Sequence, residues 1–272
     1  MWYSIPRAGR VSNPIVGLIP ENSQVSDKIF HLINHRKLTL HWFDEDIAKG
    51  NVVKVIAVTL MAIYCVCFNG SVKIYWHNSR PRTALNLFSW NVIRILRKIK
   101  FFEHIVLHHK IHEVQIKYYK LPKNLSVSVE PHPQYYKMDL KNEEINNVPQ
   151  YGFFLFIGKI TKYKNITPII RSLRSRSNNL IIIAGVIDEC IASQLEDIEN
   201  LKIYNRVHTD QELMTLCKNS KAVIVSCRNF TTTGQMAFLA GRSNMVYLSP
   251  KVLVCHEYKQ LQVTRNLEDL LN

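Results

Sequence analysis

Short apolar runs alternate with helical patterns along the second half of the chain. Each run is four or five residues long, nearly continuous in apolar residues and bounded by glycine or polar residues. Such runs are typical of strands that are buried on both faces of a parallel sheet. Their alternation with helical segments predicts a doubly wound α/β domain. The predicted strands are Phe153–Ile157, Leu180–Ala184, Leu201–Tyr204, Ala222–Ser226 and Met245–Leu248.

Three helices are predicted between these strands. The segment 166–176 places its apolar residues on one face, as an amphipathic helix does. Thr209 and Glu212 have the spacing of a capping box, which predicts that a second helix begins there. A third helix is predicted over 233–240, where the next residue is a glycine.

The first half of the chain is less regular, but it also alternates strands with helices. Helices are predicted over 52–68 and 84–99. The stretch 137–150 is polar and poor in apolar residues, which favours a linker. We therefore expect two α/β domains, over residues 1–140 and 150–272. The strands predicted in the first are Leu38–Trp42, Val72–Trp76, His104–Leu107 and Ser126–Val129.

The charge balance narrows the classes of partner. The chain has 35 Lys and Arg against 21 Asp and Glu, a formal net charge of +14. Such an excess attracts polyanions: nucleic acid, an anionic membrane surface or phosphate-bearing small molecules. Apolar runs throughout the chain exclude a disordered protein.

The most apolar segment, 52–68, is predicted to be a buried helix. Lys54 interrupts it and leaves about 14 uncharged residues, fewer than the ~20 of a spanning helix. The six cysteines form no CxxC pair, and no basic region followed by an apolar one opens the chain. We therefore expect a reduced, cytoplasmic protein.

Two strand–loop–helix units carry the candidate chemistry. In the first, a strand ends at Gly158 and a basic loop with Lys159 and Lys164 leads into a helix. Ligands bind at the carboxyl ends of such strands, glycine admits a close approach, and lysines meet diphosphate charge. A solvated basic loop would have the same sequence. In the second strand–loop–helix segment, a helix is predicted to begin around Thr232–Gln235. The backbone amides there form either an anion-binding site or an ordinary helix cap.

This pair of units resembles the donor half of the GT-B glycosyltransferases, in particular the large retaining family with many bacterial polysaccharide enzymes. Gly158-Lys159 and the sequence Tyr-Lys-Asn-Ile over 163–166 match the family's strand end and helix start. The Glu-x7-Glu motif of the family is degenerate in this chain. Its second Glu aligns with Gln235 and its first falls near Cys227.

The first half resembles the same family through a series of short motifs. Segment 7–14 is similar to the opening loop of a bacterial subgroup, and 38–44 to its His-Trp strand end. Segments 74–82 and 129–135 are similar to its Val-His-Asn and Pro-His strand ends. The resemblance implies the GT-B fold, two Rossmann-like domains that face each other across a cleft. It also implies acceptor binding by the first domain and donor binding by the second.

The resemblance implies roles for individual residues. His77 and Asp44 are candidate catalytic residues, and Asp44 is expected in a surface turn. An inverting reaction would use one of them as general base, whereas in a retaining reaction the departing phosphate takes the proton. The expected donor ligands are Gly158, Lys159, Lys164, Asn165, Thr232, Thr233, Gly234 and Gln235. The expected acceptor ligands are Arg10, His41, Asn78 and His132.

We expect a UDP- or GDP-sugar donor and a glycan acceptor linked to polyprenyl diphosphate, in bacterial surface polysaccharide synthesis. No cofactor and no metal ion are expected. The aromatic and basic segment 90–100 either docks peripherally on the inner face of the cell membrane or is an ordinary core helix. A basic nucleic-acid-binding protein and a degenerate, non-catalytic GT-B protein are the alternatives. Nucleic acid is the weaker of these, because the basic residues cluster at strand ends and helix starts.

Overall fold

The computed structural model describes residues 2–5, 24–25, 37–41, 43–50, 52–68, 70–81, 84–130, 152–231, 235, 239, 245–253 and 262–271. The chain forms two compact units. The first comprises Met1–Tyr136 and Phe230–Thr232, and the second comprises Lys137–Asn229 and Thr233–Asn272. The predicted linker, 137–150, lies outside the described residues.

The first unit contains a parallel sheet of short strands. Its order is β2-β1-β3-β4-β5-β6, and every pairing is parallel. The strands are β1 (Trp2–Ile5), β2 (Gln24–Val25), β3 (Lys37–His41), β4 (Ser71–Trp76), β5 (Phe102–Val106) and β6 (Ser128–Val129).

Within the described part of the first unit, four helices connect the strands: α1 (Phe43–Ala48), α2 (Val52–Cys67), α3 (Leu87–Leu96) and α4 (His109–Tyr119). Because β3, β4, β5 and β6 are successive neighbours, right-handed crossovers place these helices on one face of the sheet. The helix predicted over 84–99 is shorter than expected, since the Asn86 side chain caps it by accepting from Ser89 N.

Two predictions for the first unit are wrong. Asp44 does not lie in a surface turn: it belongs to α1, where it is 2% exposed. Nor is α2 a buried helix, because Ile56, Leu60 and Ile63 are each at least half exposed. The apolar composition of α2 concealed this, since a helix that is apolar on all sides has no polar face to indicate which side meets water.

The second unit also contains a parallel sheet, in the order β12-β11-β10-β7-β8-β9. This is the 3-2-1-4-5-6 order of the dinucleotide-binding fold, counted from β7. The first five strands lie where the apolar runs predicted them, with shifts of one or two residues at their ends, whereas the sixth was not predicted. They are β7 (Phe153–Ile157), β8 (Ile181–Ala184), β9 (Leu201–Tyr204), β10 (Ser220–Val225), β11 (Val246–Leu248) and β12 (Val263–Thr264).

The helices of the second unit cover the sheet with the apolar faces that their spacing predicts. They are α5 (Thr167–Arg174), α6 (Glu189–Ala192) and α7 (Asp210–Asn219). Ile170 and Leu173 of α5 join the core beneath the sheet. The Thr209–Glu212 capping box opens α7, as predicted. Of the helix predicted over 233–240, only Gln235 and Leu239 are described, and both are helical.

Candidate functional site

The winding of the second sheet reverses between β7 and β10. These strands are hydrogen-bonded neighbours, with Phe154 paired to Ala222, while β8 and β9 lie beyond one and β11 and β12 beyond the other. Helices on either side of such a reversal leave a crevice at the carboxyl ends of the two strands, and ligands bind there. Gly158 follows β7 and Ser226 follows β10. The strands of both predicted strand–loop–helix segments therefore end at this switch point.

Lys164 is held at the switch point by both strands. It ends a 3-10 turn after β7, is 7% exposed, and its Nζ donates to the carbonyl oxygen of Ile157 at 2.8 Å. Its own carbonyl accepts a hydrogen bond from Ser226 Oγ. A buried ammonium at the carboxyl end of a parallel sheet is suited to charge-assisted contacts with phosphate oxygens.

Gln235 shares the carbonyl group that Lys164 binds. Its Nε2 donates to the oxygen of Ile157 at 2.6 Å. The helix that follows β10 is thereby tied to the end of β7, 78 residues earlier in the chain. The sequence predicts Gln235 as a ligand of the donor, and this hydrogen bond instead uses its amide nitrogen within the protein.

Two glycines give the site its close backbone packing. Gly158 has φ +78°, and a Cβ there would lie 3.2 Å from Gln235 Nε2 and 3.6 Å from Lys164 Nζ. Gly185, after β8, has φ +147°, and a Cβ there would clash with the carbonyl of Gly158. The sequence predicts that Gly158 admits a ligand, and the structure adds that it admits the two side chains as well.

The loop that carries Lys164 is fixed by the residues that follow β10. Asn165 adopts the left-handed conformation, with φ 51°, and its Oδ1 accepts from Arg228 Nε at 3.0 Å. The backbone N–H of Arg228 donates to the carbonyl of Tyr163 at 2.7 Å. Asn165 therefore shapes the loop through its own backbone and this hydrogen bond.

The remaining predicted donor residues are distributed differently. Lys159 is solvent-exposed, so only Lys164 of the two lysines is built into the fold. Thr232, Thr233 and Gly234 lie outside the described residues.

One ion pair near this edge was missed by the sequence interpretation. Arg206 follows β9 and donates to both carboxylate oxygens of Glu212, at 3.0 and 2.6 Å. The hydrogen bond from Arg206 lowers the pKa of Glu212 to about 2. His208 is buried beside them, with its Nδ1 3.4 Å from a Glu212 oxygen. Because Glu212 is also the capping residue of α7, the pair holds the loop between β9 and α7 in place.

In the first unit, the predicted residues after β4 are buried. His77 and Asn78 are 3% and 4% exposed. Asn78 Oδ1 accepts from Thr231 Oγ1, and the N–H of Ser79 donates to the carbonyl of Phe230 at 2.9 Å. The end of β4 is therefore paired with Phe230–Thr232, the short C-terminal segment that belongs to this unit.

Behind β4 lies a buried polar network that the sequence interpretation also missed. Arg97 is 0% exposed, and its Nη2 donates to Gln115 Oε1 at 3.0 Å and lies 3.2 Å from His112 Nδ1. Gln115 Nε2 in turn donates to the carbonyl of Asn78 at 2.8 Å. The guanidinium of Arg97 lies 4.8 Å from the ring centroid of Trp76, a cation–π contact.

Burial governs the ionisation of this network. It lowers the pKa of Arg97 to about 10, although Tyr119 and Asp44 act in the opposite direction. Burial also lowers the pKa of His104 to about 4, and the charge of Arg97 adds to that effect. His104 Nδ1 accepts from Trp76 Nε1 at 3.2 Å. The charge of Asp44, on α1, thus favours the protonated form of Arg97 inside the unit.

The side chains of the other predicted acceptor residues lie outside the described part of the structure. His41 ends β3, and its side chain is not among those described. Arg10 and His132 lie outside the described residues. Among the side chains that are described, no group of three or more His, Cys, Asp or Glu is arranged to hold a metal ion. Within the same residues, no helix has the length and apolar character needed to cross a bilayer.

Known structures resemble this architecture, whereas no family model and no curated protein matches the sequence. HepE of Anabaena, solved in complex with UDP and glucose, superposes with a TM-score of 0.60 and 11% identity, over 97% of this chain and 85% of its own. A UDP-forming α,α-trehalose-phosphate synthase from Burkholderia xenovorans gives 0.59 and 8%, over 89% of this chain. TarM gives 0.52 and 12%, over 86% of this chain and 46% of its own.

These similarities concern architecture. The chain spans 65% of the length of the trehalose-phosphate synthase. At identities of 8 to 12%, three-dimensional likeness establishes the fold and leaves activity to be argued from the site. With two parallel sheets and these neighbours, the chain has the GT-B fold.

Proposed function

We propose that this protein is a glycosyltransferase that transfers a sugar from a UDP- or GDP-sugar to a glycan acceptor. The observation that carries the proposal is the buried Lys164 ammonium beside Gly158, at the switch point of the second sheet. Two neighbours with the same fold support it, since one was solved with UDP and glucose and another is a UDP-forming synthase.

The second unit binds the donor in this proposal. Lys159 and Lys164 contact the diphosphate, and the backbone at Thr232–Gln235 adds amide donors. As the bond to the sugar breaks, negative charge grows on the departing nucleotide diphosphate. Preorganised cations at that position stabilise the transition state more than the ground state, which lowers the barrier. We propose that these lysines take the part that a divalent metal takes in other transferases.

The first unit binds the acceptor in this proposal. His77 and Asn78 follow β4 at the carboxyl edge of its sheet, the edge that binds ligands in such folds. We assign the acceptor-side catalytic role to His77 rather than to Asp44, because Asp44 acts on the buried Arg97 and Tyr119. In an inverting reaction His77 removes the proton of the acceptor hydroxyl. In a retaining reaction the departing phosphate receives it. Arg10, His41 and His132 complete the proposed acceptor set.

We further propose that the acceptor is carried on polyprenyl diphosphate and that the product is a bacterial surface polysaccharide. A lipid-linked acceptor requires the enzyme to work at the inner face of the cell membrane. The net charge of +14 supports a peripheral contact with anionic lipid there.

Titration of UDP and GDP into the purified chain tests the donor site. A charge-assisted hydrogen bond contributes about 1.5–3 kcal/mol, so Lys159→Ala should weaken nucleotide binding about tenfold or more. Lys164→Met should weaken it at least as much, and the double variant more than either. Lys218→Ala, an exposed lysine of α7, is the matched control and should bind as the wild type does.

Unchanged UDP and GDP affinity in the double variant would remove the donor assignment. Donor turnover in EDTA tests the metal-free mechanism independently. Activity that EDTA abolishes and Mn²⁺ restores would contradict it while leaving the lysine contacts in place.

A further inference from the structure

The helical face of the first unit exposes an apolar stripe along the full length of α2. Val52, Ile56, Leu60, Ile63 and Tyr64 are between 42% and 60% exposed. Their spacing of three and four residues places them on one side of the helix. Ala62 and Cys65, on the opposite side, are 2% and 1% exposed. This stripe is too long and too regular to be scattered surface residues.

Helix α3, which packs against α1 as α2 does, exposes further apolar side chains. Leu87, Phe88 and Ile95 are 77%, 65% and 62% exposed, and Phe101, just beyond the helix, is 77% exposed. Right-handed crossovers place α2 and α3 on one face of the sheet. The helix α1 lies beside both, and Ser89 Oγ of α3 donates to its Ile47 carbonyl at 3.0 Å. We call these exposed side chains of α2, α3 and Phe101 the apolar helical surface.

Cations predominate around this surface. The sequence has no Asp or Glu from Val52 to Phe102, although Glu103 follows directly. Arg94 lies on α3 with its guanidinium 5.4 Å from the Trp90 ring centroid. Exposed Lys98 and Lys100 flank the exposed Phe101. Apolar side chains bordered mainly by cations are complementary to an anionic lipid interface.

The basic end of the surface also borders a cavity of about 590 Å³. Lys98 and Lys100 line it, together with Glu103 and the hydroxyl-bearing Ser126 and Ser128. This cavity lies at the amino end of β5, whereas the proposed acceptor residues follow the carboxyl end of β4. It therefore offers cationic and hydroxyl groups at the rim of the apolar helical surface, away from the proposed acceptor site.

We propose that the apolar helical surface docks the protein on an anionic phospholipid bilayer. The inference rests on the membrane contact within the proposed function and assigns it to a surface dominated by α2. A second copy of the chain fits this surface less well, because it would bring Arg94, Lys98 and Lys100 towards the same cations of the other copy. The helices lie on the bilayer with their apolar side chains among the headgroups, and the sheet stays on the far side.

Co-sedimentation of the full chain with vesicles tests the proposal. The wild type should bind vesicles of phosphatidylcholine and phosphatidylglycerol, bind phosphatidylcholine vesicles poorly, and be released by high salt. Leu60→Gln with Ile63→Gln removes two apolar side chains while keeping a residue that favours helix, and should reduce binding at least about tenfold. Lys98→Gln with Lys100→Gln should reduce it about fivefold for each charge.

Controls separate docking from folding and from donor binding. Val129→Gln replaces an apolar side chain of β6 that is 53% exposed, away from the surface, and should not change vesicle binding. All variants should keep the urea midpoint and UDP affinity of the wild type.

Equal binding of the Leu60→Gln, Ile63→Gln variant and the wild type to anionic vesicles would overturn the proposal. So would a wild-type dimer, seen by light scattering, that this variant converts to monomer. Loss of UDP binding alone would contradict the proposed function and leave the docking surface standing.

Discussion

Among the residues that the structure describes, each unit buries one lysine or arginine side chain, and the two are held in opposite ways. Lys164 of the second unit is 7% exposed and is held by main-chain groups at the carboxyl edge of its sheet. Arg97 of the first unit is 0% exposed and is held by side chains: Gln115, His112 and the Trp76 ring. Two nitrogens of Arg97, Nε and Nη1, lack a hydrogen-bond partner among the described residues.

In the proposed function, Lys164 serves a ligand, whereas Arg97 serves the fold. The Lys164 ammonium lies at the carboxyl edge of its sheet, where ligands bind in such folds. The Arg97 guanidinium is enclosed within the first unit, where the charge of Asp44 on α1 favours its protonated form. Removal of Arg97 should therefore affect stability, and removal of Lys164 should affect donor binding.

The largest expected effect is that of Arg97→Met. Removing one partner of a buried charged group leaves the others uncompensated, at a cost of about 3–5 kcal/mol in the free energy of unfolding. Urea denaturation measures this loss, and UDP affinity below the transition should not change. Lys98→Met, one residue away and exposed, is the matched control and should shift stability by less than about 0.5 kcal/mol. If Arg97→Met lowered the free energy of unfolding no more than Lys98→Met does, Arg97 would not be a structural cation.

Acid should weaken the first unit through His104. Its pKa in the folded chain is about 4, against about 6.5 for an unperturbed histidine. Between these values the unfolded state binds a proton that the folded state does not, so stability falls as pH decreases from 6.5 to 4. The loss should reach about 3 kcal/mol at pH 4. His104→Gln should flatten this dependence, whereas exposed His109→Gln should leave it intact. If the free energy of unfolding changed equally with pH in the wild type and both variants, the acid sensitivity could not be assigned to His104.

Gly158→Ala tests how tightly the second unit packs around Lys164. The positive φ of this residue makes any side chain costly, by about 1–3 kcal/mol. The new Cβ would also press on Gln235 and Lys164, so UDP affinity should fall. Gly152→Ala is the control, because Gly152 has φ +94° and nothing within 4 Å of the Cβ position. It should lose stability and keep UDP affinity. Weaker UDP binding in both variants would mean that backbone strain alone is responsible.

The smallest expected effect concerns Gln235. In the family that the sequence resembles, a Glu at this position is a ligand of the donor ribose. Because a carboxylate makes stronger hydrogen bonds to hydroxyls than an amide does, the sequence alone predicts that Gln235→Glu holds or improves donor affinity. The structure reverses that expectation, since a carboxylate cannot donate to the Ile157 carbonyl and would draw the charge of Lys164 away from a diphosphate. Gln235→Glu should bind UDP more weakly than Gln235→Ala, which should lose about 1–2 kcal/mol. Calorimetry with UDP distinguishes the two, and tighter binding by the Glu variant would restore the ribose role.

The sequence by itself determined the local elements. Continuous apolar runs predicted the five strands from Phe153 to Leu248, because a strand buried on both faces needs an apolar residue at every position. Gly158 and Lys164 were also predicted as site residues from local sequence. The strand end, the glycine and the lysine lie within seven residues of one another, so short-range rules relate them. The capping box of α7 is a further case, since Thr209 and Glu212 are one helical turn apart.

Tertiary structure alone decided the long-range relationships. Gln235 reaches the Ile157 carbonyl because β7 and β10 are neighbours in the sheet, and no local pattern encodes strand order. The sequence predicts Asp44 in a surface turn and does not single out Arg97, because burial of an ion depends on what surrounds it rather than on its neighbours in sequence. The exposed side of α2 was likewise undetermined. When a helix is apolar all around, only the sheet it packs against selects which side chains meet the solvent or a bilayer.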